Sequence, residues 1–384
     1  MRVAIITENF LPKLDGVTRT LARLLEYLQG AGHRTLLLGP ASGMAEYAGA
    51  EIVGTAGVPL PFYPELKFNF FRPLFLRRLN EFRPDIIHLV DPVVLGTAGL
   101  AVARMLGRPL VSSYHTNLAA YCEHFGFPSL VRPMWSYNRF IHNQCALTFC
   151  PSPSTARMLR LHGFRRVRIW PRGVDTTLFR PERRNEALRS GWLQGAEKIV
   201  LLYTGRISWE KNLHLLIQAY REMDHARCHL VIVGDGPALP EVKQALTGLP
   251  VTFTGYLQGD ELASAYASAD IFAFPSRTET FGQVVLEALA SGLPVVALNA
   301  EGVRDIVEHE KTGYLLEIDG LSAKAQAAAY RHVLARLVEL NTLRQTMGIT
   351  ARQAAHRYSW DEAMQALLAG YREVLEQGQP LIAA

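Results

Sequence analysis

The 384-residue chain lacks most of the features that would announce a function class at once. Its four cysteines, Cys122, Cys145, Cys150 and Cys228, show no CxxC spacing. That argues against both zinc ligation and a disulfide framework, and a reduced, cytoplasmic compartment is the simplest reading. No run of 18 uncharged apolar residues occurs, so no spanning helix is expected. The opening "MRVAIITENF" does not read as a secretory leader, because its apolar run is short and Glu8 interrupts it. The signatures GxxxxGK[ST], HExxH and GxSxG are missing, and with them P-loop, zincin and α/β-hydrolase chemistry. "VGDGP" (233–237) lacks the third glycine of a dinucleotide fingerprint and runs straight into Pro237, so it reads as a strand-to-helix turn. An NAD-dependent oxidoreductase on tandem dinucleotide folds therefore has no fingerprint to stand on. No nucleic-acid-binding module is recognisable, and no nucleic-acid partner is expected.

What is present is globular. The chain is 49% hydrophobic and 20% charged, and its length suggests two or three domains. The net charge of +5 is unevenly spread: residues 1–178 hold 20 Lys+Arg against 11 Asp+Glu, and residues 179–384 hold 20 against 24. On charge alone a basic first half suits nucleic acid, a membrane surface or an anionic metabolite; without a nucleic-acid module the last two remain.

Short apolar runs alternate with helical patterns. "RVAIIT" (2–7), "TLLLG" (35–39), "DIIHLV" (85–90), "PLVSSY" (109–114), "ALTFC" (146–150) and "VRIWP" (167–171) predict buried parallel strands. Between the first two, Val17, Leu21, Leu24, Leu25 and Leu28 recur at helical spacing over 17–29. Polar, Gly- and Pro-containing sequence interrupts at 172–197, and a second series follows: 199–205, 228–234, 251–255, 271–276, 294–298 and 313–318. The expected architecture is α/β, two tandem Rossmann-like doubly wound domains facing a central cleft. Their spans are 1–178 and 179–359, joined near 175–185, with a final helical segment from Trp360. Ligands of such sheets bind beyond the carboxyl ends of the strands, where Gly16, His115, Arg206, Lys211 and Glu279 all fall.

The stretch "SRTETFGQVVLEALASGLPVVA" (276–297) holds two carboxylates, Glu279 and Glu287, eight residues apart. Eight residues of helix turn roughly 800°, about 80° past two full turns. With a helix starting near Phe281, Glu279 lies ahead of the first turn and Glu287 within it, so both can address one ligand. Free N–H groups at that start favour phosphate oxygens, and Gly282 allows close backbone approach. The plainer reading is a capped helix with a solvated Glu, but the apolar surround would bury Glu287. In "YTGRISWEKN" (203–212), Arg206 and Lys211 put a fork donor and a point charge in one loop, which suits a diphosphate. "SYHTN" (113–117) sets His115 at a strand end, and "LPKLDGVTRT" (11–20) sets Gly16 before a helix. A sugar-binding module without turnover would not need both cations and both glutamates. In 61–84, "PFYPELKFNFFRPLFLRRLNEFRP", aromatics interleave with Lys67, Arg72, Arg77, Arg78 and Arg83. Two readings fit equally: a helix lying on an anionic bilayer, or one packed on the sheet through Phe75, Leu79 and Phe82.

Taken as a set, "DGVTRT", "SYHTN", "RGVDTTLF", "GRISWEKN", "VGDGP" and "ETFGQVVLEALASGLPVV" resemble the retaining family-4 glycosyltransferases of the GT-B fold, with their E-x7-E hallmark at Glu279–Glu287. "VRPMWSYNRFIH" (131–142) and "TGYLQGDELASAYASADIF" (254–272) look like sulfoquinovosyl diacylglycerol synthases, and GDP-mannose-dependent mannosyltransferases share much of the pattern. The resemblance implies transfer of a hexose from a nucleotide-diphosphate sugar to a lipid or glycan acceptor. The favoured donor is a UDP-sugar such as UDP-sulfoquinovose, delivered to diacylglycerol; the alternative is GDP-mannose, delivered to a glycolipid or polysaccharide. It implies that Arg206 and Lys211 bind the diphosphate, in the same loop as the donor-binding Gly205, and stabilise charge on the leaving nucleotide. Glu287 would accept from the ribose hydroxyls. Glu279 with the backbone of Thr280, Phe281 and Gly282 would hold the hexose, and His115 would contact it near the reacting carbon. Gly16 would approach the donor phosphates, Tyr256 and Leu257 would flank the base, and the helix from 360 would cross back to the first domain. No cofactor and no metal are implied, and the enzyme would be cytoplasmic, peripheral on the inner face of the membrane.

Overall fold

A computed structural model describes residues 1–12, 16–60, 63–124 and 126–377. It divides into two units, Met1–Arg172 with Trp360–Ala384, and Gly173–Ser359. The boundary falls six residues before the expected 178. "RGVDTTLF" has the polarity of a linker, yet Val174 and Phe179 are buried in the second unit's core, and the Val174 N–H donates to the Tyr358 carbonyl at 3.0 Å.

Among the described residues the first unit has ten strands: β1 (Arg2–Thr7), β2 (Arg34–Pro40), β3 (Glu46–Tyr47), β4 (Ala50–Thr55), β5 (Gly57–Leu60), β6 (Tyr63–Asn69), β7 (Ile86–Val90), β8 (Leu110–Ser113), β9 (Leu147–Cys150) and β10 (Val167–Ile169). Eight form one sheet in the order β10-β9-β8-β7-β1-β2-β4-β3, parallel except for β3 on β4. β5 and β6 pair separately, antiparallel. Four strands between 46 and 69 were not foreseen. β4 is recognisable only in hindsight, because Glu51 and Gly54 break its apolar run.

Helix Gly16–Gly30 buries Leu21, Leu24, Leu25 and Leu28 against one face, beside Val3 and Ile5 of β1. The same core takes Met364, Leu367, Leu368, Tyr371 and Val374 of helix Trp360–Gln377. That helix lies so close to β9 that a Cβ on Gly370 would stand 2.5 Å from the Phe149 ring, so glycine is required there.

The second unit holds β11 (Ile199–Thr204), β12 (Cys228–Val233), β13 (Val251–Gly255), β14 (Ile271–Phe274), β15 (Val295–Leu298) and β16 (Gly313–Leu316), all parallel, in the order β13-β12-β11-β14-β15-β16. Burial on both faces explains the near-continuous apolar sequences of the inner strands β11, β12, β14 and β15, whereas β13 at the edge is half-buried. In each unit the chain winds outward from one central strand and then returns to its other side. The strand order thus reverses between β1 and β7 in the first unit, and between β11 and β14 in the second. Such switch points leave a crevice at the carboxyl ends of the two central strands.

Candidate active site

At the second unit's switch point two loops meet. β11 ends at Thr204 and runs into Gly205, whose φ of +147° few other residues adopt. The loop is seated backbone on backbone. A Cβ on Gly234 would lie 2.0 Å from the Gly205 carbonyl oxygen, and one on Gly236 2.3 Å from that of Ile207. "VGDGP" is therefore the floor under "TGRIS", a role beyond the simple turn expected of it. A single turn at Trp209–Lys211 follows, ended by Asn212 in the left-handed region at φ +57°. Asn212 Nδ2 donates to the Pro275 carbonyl (3.1 Å) and Thr278 Oγ1 to the Glu210 carbonyl (3.3 Å), tying this loop to the one after β14.

Across that junction Lys211 Nζ donates to Glu279 Oε1 at 2.7 Å, and Ser276 Oγ donates to the same oxygen at 3.0 Å. Both charged side chains are 17% exposed, shielded enough to feel each other more strongly than in bulk water yet open to a ligand. The chain then passes Thr280 and the buried Phe281, whose backbone rests against Gly302: a Cβ there would stand 2.5 Å from the Phe281 nitrogen. Gly282 adopts φ +97° as the N-cap of helix Gln283–Ala290, two residues later than the expected start near Phe281. Glu287 is buried at the fifth position of that helix, and its Oε2 accepts from Tyr266 Oη at 3.1 Å. Arg206 is half-buried in the β11 loop, its carbonyl accepting from Tyr203 Oη at 2.9 Å. Tyr256, exposed, and Leu257, half-buried, follow β13 at the same edge of the sheet.

Of the predicted residues, Gly205, Arg206, Lys211, Tyr256, Leu257, Glu279, Thr280, Phe281, Gly282 and Glu287 thus occupy carboxyl-end loops or a helix start of the second unit. Gly16 and His115 belong to the first. Gly16 opens its helix where a Cβ would meet nothing within 4 Å, while residues 13–15 before it lie outside the described residues. His115 follows β8 and is buried. Asp91, after β7, accepts the His115 N–H at 2.6 Å and the Thr116 hydroxyl at 2.7 Å. His115 Nε2 lies 2.8 Å from Ser113 Oγ, and Arg172 Nη2 donates to His115 Nδ1. Burial first, and the Arg172 charge second, hold the His115 pKa well below its ordinary value, so the ring is neutral. At the same unit's switch point Glu8 Oε1 accepts from the N–H groups of Leu95 (2.7 Å) and Val93 (3.1 Å), and burial raises its carboxyl pKa.

Sequence reasoning missed Asp91, Ser113, Arg172, Tyr266 and Gly302. Arg172 and Asp91 carried a signal, one in "RGVD" and the other directly after an apolar strand. Tyr266 lies inside the quoted stretch 254–272, but nothing in its alanine-containing helix singled it out.

Comparison with known proteins gives the family. Residues 14–178 match the family described as Glycosyltransferase Family 4, and residues 198–336 match Glycosyl transferases group 1. A GDP-mannose-dependent alpha-mannosyltransferase of Mycolicibacterium smegmatis is 37% identical over 98% of this chain and 98% of its own. The sulfoquinovosyl transferase SQD2 of Arabidopsis thaliana is 35% identical over 91% of this chain and 69% of its own. An alpha-monoglucosyldiacylglycerol synthase of Streptococcus pneumoniae is 29% identical over 83% of this chain and 78% of its own. In structure, Anabaena HepE in complex with UDP and glucose superposes with a TM-score of 0.77 over 96% of this chain and 99% of its own, at 20% identity. The chain belongs to the family-4 glycosyltransferases, and its fold is GT-B.

Proposed function

We propose that this glycosyltransferase moves a hexose, with retention of configuration, from a nucleotide-diphosphate sugar onto a lipid or glycolipid acceptor. The observation that carries the reading is the Lys211–Glu279 pair at the β11/β14 switch point, immediately ahead of a helix start capped by Gly282. A diphosphate arriving there meets a lysine that is already positioned and the open N–H groups of that helix start. Lys211, with Arg206 from the same loop, stabilises the negative charge that grows on the departing nucleotide. Such fixed charge costs no reorganisation at the moment of bond cleavage. Glu279, relieved of Lys211 by the diphosphate, turns to the hexose hydroxyls, and the backbone at Thr280–Gly282 lies alongside. Glu287, oriented by Tyr266, takes the ribose hydroxyls. In this reading Gly205 and Gly16 give the phosphates close access, Tyr256 and Leu257 flank the base, and His115 contacts the hexose. The protein's own cations do the work a metal ion does elsewhere, so none is required.

The donor has two readings. A UDP-sugar, UDP-sulfoquinovose included, is supported by the likeness to the Arabidopsis protein. GDP-mannose is supported by the mycobacterial relative, which is matched along nearly its whole length. Donor hydrolysis measured across UDP- and GDP-sugars, with and without EDTA, decides. Turnover of one nucleotide series, unchanged by EDTA, is expected. Turnover that vanishes in EDTA and returns with manganese would overturn the electrostatic scheme, and no turnover of any sugar nucleotide would overturn the transferase reading.

A further inference from the structure

A neutral imidazole has one proton to place, and what its second nitrogen meets decides where that proton sits. At His115 the second nitrogen meets a guanidinium. Arg172 Nη2 points at Nδ1, and a guanidinium can only donate. Arg172 is itself 5% exposed, its Nη1 donating to the Trp170 carbonyl at 3.2 Å and its central carbon 4.6 Å over the Trp170 ring. Its pKa falls to about 9 through burial, which leaves it charged at neutral pH. Nδ1 of His115 is therefore an acceptor, and the ring proton is on Nε2, directed at Ser113 Oγ 2.8 Å away. The backbone beneath is pinned by Asp91, which takes the His115 N–H at 2.6 Å. Beyond Ser113 the chain of contacts continues to His88 Nε2 (2.8 Å) and from His88 Nδ1 to Tyr371 Oη (2.6 Å).

We propose that Arg172 is a positioning residue: by donating to Nδ1 it fixes His115 as the Nε2–H tautomer, making the ring a hydrogen-bond donor to a hexose hydroxyl and never a proton acceptor. Ser113 Oγ, itself buried, takes the Nε2 proton in this structure, and a hexose hydroxyl would share that proton as a second acceptor. The catalytic half of this statement rests on the transferase reading above; the tautomer half does not.

The test is nitrogen NMR of the full-length protein with ¹⁵N-labelled histidine, the His115 signals assigned by their loss in His115→Asn. The wild type is expected to show a neutral ring protonated at Nε2. Arg172→Met should shift the proton wholly or partly to Nδ1, and Arg172→Lys, which still donates, should restore it. In donor hydrolysis Arg172→Met should lower kcat by about tenfold or more, the factor given by about 1.4 kcal/mol. KM should move less, and Arg172→Lys should recover part of the loss. A wild-type ring protonated at Nδ1, or an Arg172→Met ring unchanged, overturns the proposal. An altered tautomer with wild-type kcat overturns its catalytic half. Failure of the wild type to hydrolyse any sugar nucleotide would instead strike the transferase reading, with the spectra still deciding the tautomer. Should Arg172→Met not fold, the wild-type spectrum and Arg172→Leu, which likewise cannot donate, decide the same point.

Discussion

The two units are wound alike and filled differently. Each builds outward from a central parallel strand and reverses beside it, so each presents two loops at its switch point. In the second unit those loops are seated mainly on backbone, Gly234 under Gly205, Gly236 under Ile207 and Gly302 under Phe281, with side chains of Asn212 and Thr278 and the Lys211–Glu279 pair closing the junction. In the first unit the equivalent edge is placed by side chains. Glu8 holds the chain after β7, Asp91 holds the chain after β8, and a buried line of Tyr371, His88, Ser113, His115 and Arg172 runs behind it. The contrast has a physical consequence. Glycine contacts are indifferent to pH, whereas a line of buried neutral histidines holds only while the rings stay unprotonated.

Acid should therefore separate the units, and this is the largest effect expected. Burial drives the pKa of His88 down to about 3, and that of His142, bonded to Ser112, to the same value. In the unfolded chain both titrate near 6.5. Between about 6.5 and 3 the unfolded form binds protons that the folded unit refuses, so stability falls with pH across that window. Each ring contributes roughly 1.4 kcal/mol per pH unit. Glu8, raised by burial, works in the opposite sense by one proton. The second unit's His229 is held to about 4, a narrower window. Hydrogen exchange from pH 7 to 4 should show β7 and β8 losing protection before β11 and β14, with the slope reduced in His88→Gln. Simultaneous loss in both units would sink the contrast.

The second unit breaks in the opposite way, in chemistry and not in folding. Lys211→Ala removes a charge-assisted contact worth roughly 1.5–3 kcal/mol, so kcat/KM should fall about ten- to a hundredfold, and Arg206→Ala should act likewise. Melting should stay near wild type, because glycine contacts, not the ion pair, seat the loop. Unchanged turnover in either variant would remove the diphosphate assignment.

How far the sequence could be read follows the same division. Apolar runs located twelve strands, most of them parallel strands buried on both faces that leave few alternatives; some ends were drawn one or two residues long where Pro275 or Tyr114 already belongs to a loop. Each loop of the second unit's candidate site is local in sequence, with Arg206 near Lys211 and Glu279 near Glu287, so spacing picked out both loops, although Lys211 and Glu279 themselves stand 68 residues apart. The first unit's site is not. His88 and Tyr371 stand 283 residues apart, and His115 and Arg172 stand 57 apart. No motif spans such distances, and only folding brings those groups together.

The smallest predicted effect concerns the first unit's charge. With the final helix counted where it packs, that unit holds 21 Lys+Arg against 14 Asp+Glu, and the other holds 19 against 21. An attraction to anionic headgroups is proposed for segment 61–84, of which residues 61 and 62 lie outside the described residues. The structure limits how that attraction can work. In helix Pro73–Phe82, Phe75 and Leu79 are fully buried in the sheet's core, so they are not available to enter a bilayer. Arg78 is already bound to Glu51 and Glu81, so its reversal would mix lost ion pairs with lost surface charge. Exposed Arg72, Arg77 and Arg83 remain, and each contributes on the order of 1 kcal/mol near an anionic surface. Arg77, only 3.8 Å from Glu81 on the open face, is the one to remove. Arg77→Gln should weaken sedimentation with phosphatidylglycerol vesicles by about fivefold, leave melting unaltered, and matter less as salt screens the surface. Binding that ignores lipid charge and salt alike would leave this basic surface without a membrane role, and a soluble or polysaccharide acceptor would then be the better reading.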